Sequence, residues 1–78
     1  MSFTNRVRLF VENLDEEAKE ELLKQILMRQ NGVERVEVQS GFRTAVVAGM
    51  MLDLEAIKQS VEGAGFSLVS MVRSGDRN

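Results

Sequence analysis

The sequence predicts an α+β domain of order β-α-β-β-α-β, and three observations lead to it. Two stretches with apolar residues at helical spacing are each flanked by stretches in which apolar and polar residues alternate. Short turn signals, Asn31-Gly32, Ser40-Gly41 and Gly63-Ala64-Gly65, separate these stretches where a linker would otherwise be needed. Finally, 78 residues with an apolar fraction of 44% are enough for one core and too few for two. The expected unit is a single domain over 1–78, with its core at about 6–72 and polar ends at 1–5 and 73–78.

The elements follow in order. Residues 6–12 alternate, and Val7, Leu9 and Val11 share one face, as in a half-buried strand. Asn13 then offers a helix N-cap, with Glu16 as the return half of a capping box. Beyond it Leu14, Ala18, Leu22 and Ile26 recur every four residues, beside Leu23 and Leu27. Acidic residues crowd the first half of this helix and Lys24 and Arg29 its end, which suits the helix dipole. Gly32 marks its stop. Residues 33–39 alternate again, Ser40-Gly41 reads as a hairpin turn, and 42–48 return as the third strand, which Gly49 ends. Asp53 caps a second helix over 54–62 with Leu54, Ile57 and Val61 inward, Gly63 and Gly65 end it, and 66–72 supply the last strand. Two interleaved β-α-β crossovers of this order give the ferredoxin-like sandwich: a four-stranded antiparallel sheet with both helices on one face.

Composition excludes several functions. Ten basic and 12 acidic residues give a net charge of -2, without the cationic surplus that nucleic-acid binding draws on. The longest apolar runs, such as Ala45-Val46-Val47-Ala48, fall far short of the roughly 20 residues that span a bilayer. No hydrophobic signal core follows Met1, so the cytoplasm is the expected setting. There is no His, Cys or Tyr, no glycine-rich loop opens a helix, and no base stands ready to activate a serine or threonine. The expectation is a protein that is not an enzyme and carries no cofactor.

Gly32-Val33-x-x-Val36-x-Val38, an Ala45-x-Val47 strand, a helix with Ile57 and Val61, and Gly65-Phe66 together resemble the heavy-metal-associated domain family. The resemblance covers 6–72. In that family a Gly-Met-x-Cys-x-x-Cys loop joins the first strand to the first helix, and its two thiolates hold a soft ion. Counted back from Gly32-Val33, the loop falls on residues 13–19. Leu14 takes the place of the family's buried Met, and Glu16 and Lys19 take the places of the two cysteines. Phe66 matches an aromatic position found beside the metal.

The loop is therefore a degenerate version of the motif. A carboxylate is a hard ligand, and an ammonium has no free lone pair at neutral pH and puts positive charge where the ion would sit. Family-type Cu(I) binding is excluded on that ground, and Glu16 with Lys19 reads as a capping residue and an i, i+3 ion pair. Met50 and Met51 are a weaker alternative for a soft ion, set against the ordinary reading of methionines as fillers of core gaps. The acidic run Asp15-Glu16-Glu17 with Glu20-Glu21 lacks the spaced ligands and sharp glycine turn of a Ca²⁺ loop and reads as a solvated helix face.

What remains is surface. With Val7, Leu9, Val11, Val36, Val38, Ala45 and Val47 inward, the opposite parity points Arg6, Arg8, Phe10, Glu12, Arg35, Glu37, Phe42, Thr44 and Val46 out of the sheet. The last strand adds either Val69 and Met71, or Leu68, Ser70 and Val72. Apolar groups within a charged rim suit a partner surface, and Arg8, Phe10, Arg35, Phe42 and Val46 are its candidate residues. The expected function is a docking or self-association module that has lost soft-metal binding. The resemblance implies protein partners, among them domains tied to a membrane transporter. The alternatives are metal handling through non-cysteine ligands and an ACT-like small-molecule regulatory domain. The latter wants a glycine-bearing turn after the first strand, where Asn13-Leu14-Asp15 stands.

Overall fold

β1 (Asn5–Val11), α1 (Glu17–Met28), β2 (Val33–Gln39), β3 (Thr44–Gly49), α2 (Leu54–Gly63) and β4 (Leu68–Ser74) follow one another in the expected order. The structure is a computed structural model that describes residues 5–74; of the polar ends expected at 1–5 and 73–78, residues 1–4 and 75–78 lie outside the described residues. All four strands join one antiparallel sheet of order β2-β3-β1-β4, so β1 and β3 are central and β2 and β4 are edges. Val7, Leu9 and Val11 from β1, Val36 from β2, and Ala45 and Val47 from β3 form one buried cluster with Leu23 and Leu27 of α1 and Ile57 and Val61 of α2. Both helices thus cover the same side of the sheet. The architecture is the ferredoxin-like one.

Local chemistry sets α2 as expected. The Asp53 carboxylate accepts a hydrogen bond from the Ala56 N–H at 3.2 Å, satisfying one donor of the first turn. At the far end the Phe66 N–H donates to the Val61 carbonyl at 3.3 Å, and Gly65 takes φ +99°. That angle is open to glycine at little cost.

Other expectations are corrected. α1 begins at Glu17, and its N-cap is Glu16 in extended conformation with no side-chain capping bond. Asn13 lies outside the helix, so the capping box does not form. Leu14, also outside, is fully buried, while Ala18 and Leu22 of the expected stripe are exposed and Ile26 is half-buried. The buried stripe is Leu23 and Leu27, one position round the helix. Ser40–Phe42 form a 3-10 turn with Arg43 left-handed at φ 55°, so β3 starts at Thr44 and Phe42 belongs to the turn. β4 starts at Leu68, and Phe66 is buried ahead of it; the strand continues through Arg73, which pairs with Val7 inside the expected polar end. At the other end Asn5 pairs with Gly49, so it too lies within the sheet.

The register of β4 follows neither expected alternative. It shifts between Phe10 and Val11, leaving Val69 without a partner opposite β1. On one side of this bulge Ser70 and Val72 oppose Phe10 and Arg8 and share their outward face. Leu68 and Met71 instead pack against the core. One unpaired residue is enough to reset the parity of everything before it.

Gly49 does not break its strand. It is the last residue of β3, buried, and opposite both Asn5 and Val33. The Met50 N–H donates to the Gly32 carbonyl at 3.0 Å, drawing the two backbones together. A Cβ on Gly49 would overlap that Gly32 carbonyl oxygen and press on Leu52. Gly49→Ala should therefore lower unfolding stability in urea by about 1–3 kcal/mol, the usual cost of overpacking. Gly41→Ala, whose Cβ would meet nothing within 4 Å, should stay within about 0.5 kcal/mol of the parent.

Candidate functional site

Two regions were expected to carry chemistry, and the structure places them apart. The first is the turn between β1 and α1. Leu14 is buried beneath it, and its N–H donates to the Val11 carbonyl at 3.2 Å. Glu16 is exposed, and its carbonyl accepts from the N–H groups of Lys19 and Glu20, each at 3.1 Å. Lys19 does not pair with Glu16. Its ammonium donates to the Asn13 carbonyl at 3.1 Å and meets the Asp15 carboxylate at 3.1 Å. A cation tethered to the first turn of the helix thus reaches back into the turn that precedes it.

Asn13 has a different task from the one its position suggests. Its side-chain Nδ2 donates to the Gly65 carbonyl at 3.1 Å, and its Oδ1 accepts from the Ser67 N–H at 2.8 Å. The Glu12 N–H adds a bond to the Ser67 carbonyl at 2.9 Å. One amide therefore clamps the turn before α1 to the segment before β4, on both sides of Phe66. Phe66 itself is turned into the core and is 6% exposed. No cluster of three or more His, Cys, Asp or Glu side chains able to hold a metal ion occurs among the described residues. Met50 and Met51 are both exposed, Met51 at 90% and with φ 54°. The gap-filling reading therefore fails for this pair, whereas Met71 packs against the core.

The second region is the uncovered side of the sheet. Strand register arranges it in rows. Arg35, Ala48 and Arg6 make one row; Glu37, Val46, Arg8 and Val72 the next; Gln39, Thr44, Phe10 and Ser70 the third. Four of the five candidate residues, Arg8, Phe10, Arg35 and Val46, stand on this grid. Phe42 reaches it from the 3-10 turn, 75% exposed. Arg8, Phe10, Glu37, Phe42, Thr44 and Val46 line one shallow depression of about 500 Å³. A second depression beside it is lined by Arg6, Arg8 and Arg35 together with Glu34 and Glu37, so it mixes both signs of charge. Among the described residues, none of these arginines lies within 4.0 Å of a carboxylate; the ion pair that forms is Lys19–Asp15.

The turn that carries Phe42 is fastened from the other side of the fold. The Glu20 carboxylate accepts a hydrogen bond from the Ser40 N–H at 2.6 Å. Hydrogen bonds from the Ser40 hydroxyl and from this N–H hold the Glu20 carboxyl below its ordinary range. Neither this contact nor the Asn13 clamp was foreseen. Their partners are distant in sequence, and no local pattern announces them. Val72 was foreseen only within an alternative register.

No family model and no curated protein matches this sequence. Solved structures do. Oxidized MerP from Ralstonia metallidurans CH34 superposes with TM-score 0.75 at 22% identity, over 95% of this chain and 99% of its own. A copper binding domain from HMA7, a P-type ATPase, superposes at 0.74 and 23% identity, over 94% and 99% of the two chains. The N-terminal domain of ZntA in its Zn(II) form gives 0.74 and 22%, over 94% and 93%. At these identities the likeness establishes a shared fold, that of heavy-metal-associated domains, over nearly the whole described chain. No helix among the described residues is long and apolar enough to cross a membrane.

Two measurements check the contacts described above. Asn13→Ala should cost about 1 kcal/mol of stability, since it removes two hydrogen bonds that water partly replaces, and should raise amide exchange at Ser67 selectively. Glu20 has a lowered folded-state pKa, so its contribution is present above the unfolded carboxyl pKa of about 4.3 and is lost as pH falls through the folded value. Glu20→Gln should therefore melt below the parent at pH 7, with the gap closing as the pH drops under about 4.

Proposed function

We propose that this chain is a non-catalytic cytoplasmic docking module, built on the scaffold of heavy-metal-associated domains, that does not carry a soft metal ion. The observation that carries the reading is the Lys19 ammonium, 3.1 Å from both the Asn13 carbonyl and the Asp15 carboxylate. It projects from a position at which related domains carry a thiolate. There the fixed positive charge repels an incoming cation, and its partners are hard oxygens with little affinity for Cu(I). The likeness to a domain of a P-type ATPase supports a setting in which such a module docks onto transporter-linked proteins.

The face that docks is the uncovered side of the sheet. Phe10 and Val46 are half-buried at its centre, Phe42 is exposed at its margin, and Arg8 and Arg35 stand around them. An apolar centre within a charged rim resembles an interface more than it resembles ordinary solvated surface. The methionines supply the opposing reading, because Met50 and Met51 are exposed and free to meet an ion.

Titration with Cu(I) against a competing chelator separates the two. The docking reading requires that any binding be weaker than about 1 μM, roughly -8 kcal/mol. Tighter binding that disappears in Met50→Leu/Met51→Leu would return the chain to metal handling. Phe10→Asp and Val46→Asp test the face directly. Each should abolish association, with itself or with a partner recovered from the native host, while leaving the far-UV spectrum unchanged. Association that survives both substitutions moves the docking surface elsewhere.

A further inference from the structure

β2 is an edge of the sheet, and the register fixes which of its backbone groups lack a partner. Along an antiparallel ladder, hydrogen-bonded pairs alternate with pairs that share no hydrogen bond. The Val11 N–H donates to the Arg43 carbonyl at 2.9 Å and continues the β1–β3 register, so Leu9–Ala45 and Val7–Val47 are bonded pairs. β3 therefore turns the backbone of Thr44, Val46 and Ala48 towards β2, in phase with the bond from the Met50 N–H to the Gly32 carbonyl. Gln39, Glu37 and Arg35, which oppose them, are bonded within the sheet. Val36 and Val38 direct their N–H and C=O groups out of the edge.

This edge carries no Pro and no Lys, and its bulge lies at Glu34, which leaves 35–39 regular. The order of its side chains suits pairing with itself. Given a half turn about Val36 and laid antiparallel on a second β2, the strand sets Val36 against Val36. Arg35 then faces Glu37 of the second copy, and Glu37 faces its Arg35. The Val36 pair is a bonded one, because both residues point their backbone groups outward. The Arg35–Glu37 pairs are the unbonded kind, in which side chains approach most closely. On the open face these four groups form a block in which every neighbour, along the strand and across it, has the opposite sign. Shifting the register by two residues sets Arg35 against Arg35 or Glu37 against Glu37 on the axis, so charge selects one register. Within one chain, among the described residues, neither Arg35 nor Glu37 has an ion partner within 4.0 Å. On the helix side, Glu20, Glu21 and Lys24 run beside this edge. Glu20 is bonded to Ser40 at the end of β2, so the half turn carries the acidic first turns of the two helices to opposite ends of the junction.

We propose that β2 pairs with β2 of a second copy of this chain across a two-fold axis at Val36, joining the two four-stranded sheets into one. The contact is isologous, so assembly closes at the dimer. The proposal goes beyond the docking reading: it uses the edge of the sheet and leaves both open faces uncovered, side by side. A contact of a few residues is narrow, so the pair is weak, with a Kd on the order of 0.1–1 mM. At micromolar concentrations, where association through the open face is read, the edges are apart.

Sedimentation and amide exchange of the full chain, up to about 2 mM, test this. The average mass should rise with concentration and level off at two chains. The Val36 and Val38 N–H groups should gain protection as the mass rises, whereas those of Arg35 and Glu37 are protected throughout. Arg35→Glu and Glu37→Arg each set like charges around the axis, and each variant alone should stay monomeric. Both positions are exposed, so the fold is kept. Mixed in equal amounts, the two variants should form a 1:1 dimer, because opposite signs face each other again. A wild-type chain that stays monomeric at about 2 mM overturns the pairing and leaves the docking reading, which capture of a different protein tests, untouched. A doubled mass without protection at Val36 puts the association on another surface and overturns it too. So does a single variant that pairs like the parent, or a mixture that yields no heterodimer.

Discussion

Strand β1 is hydrogen-bonded on both flanks, to β3 and to β4, and its side chains alternate between a sealed core and an open face. Almost everything else in the domain follows from the parity of that one strand. Val7, Leu9 and Val11 are fully buried and meet both helices; Arg6 and Arg8 point the other way. A slip of one residue would drive two guanidinium groups into an apolar interior, at a cost of several kcal/mol each even after relaxation. A domain this small has a total stability of only about 5–10 kcal/mol, so no slipped register can compete. The same parity that secures the core delivers a charged, partly apolar surface to solvent. Fold and candidate interface are two consequences of one alternation.

That logic explains how a scaffold shared with metal-binding domains can exist without cysteine. The turn between β1 and α1 contributes to cohesion through apolar burial and backbone-directed hydrogen bonds, neither of which needs a thiolate. What the turn needs is a buried plug and a clamp. Leu14 supplies the first through its side chain, and Asn13 the second through its amide bonds to Gly65 and Ser67. Lys19 then folds its charge back onto the Asn13 carbonyl and Asp15. An ammonium held there is covalently part of the chain, so it ties the first turn of α1 to the residues before it. The modest worth of an exposed ion pair does not make Lys19 a major source of stability.

The strands were legible because alternation is local: Val7-Arg8-Leu9 announces an inside and an outside with no knowledge of the partner strand. Asp53 was legible for the same reason, since the N–H it caps is three residues away. What failed in each case required a distant partner. Asn13 and Glu16 satisfy the spacing of a capping box, yet Asn13 is claimed by Gly65 and Ser67 across the fold, and the helix starts later. On α1 the neighbouring stripes Leu22–Ile26 and Leu23–Leu27 are equally apolar, and only the packing of the sheet chooses between them. The bulge at Val69 leaves no compositional mark. Phe42 directly follows the Ser40-Gly41 turn signal and so reads as the start of a strand, but the carboxylate of Glu20 secures a 3-10 turn from Ser40 that takes in Phe42. The candidate face survived these errors because four of its residues, Arg8, Phe10, Arg35 and Val46, sit in the strands where parity alone decides.

The open face mixes both signs within a small area, and that has a consequence for specificity. Arg6, Arg8 and Arg35 share one depression with Glu34 and Glu37, and Val46 stands between Glu37 and Arg8 in a single row. A surface of one sign selects a partner by net charge alone, whereas interspersed charges select by register. A partner that covers Phe10 and Val46 out of register sets like charges against one another, so these two residues can be apolar enough to bind without becoming indiscriminate. All of these residues lie in strands, where parity fixes them whatever the turn between β1 and α1 carries.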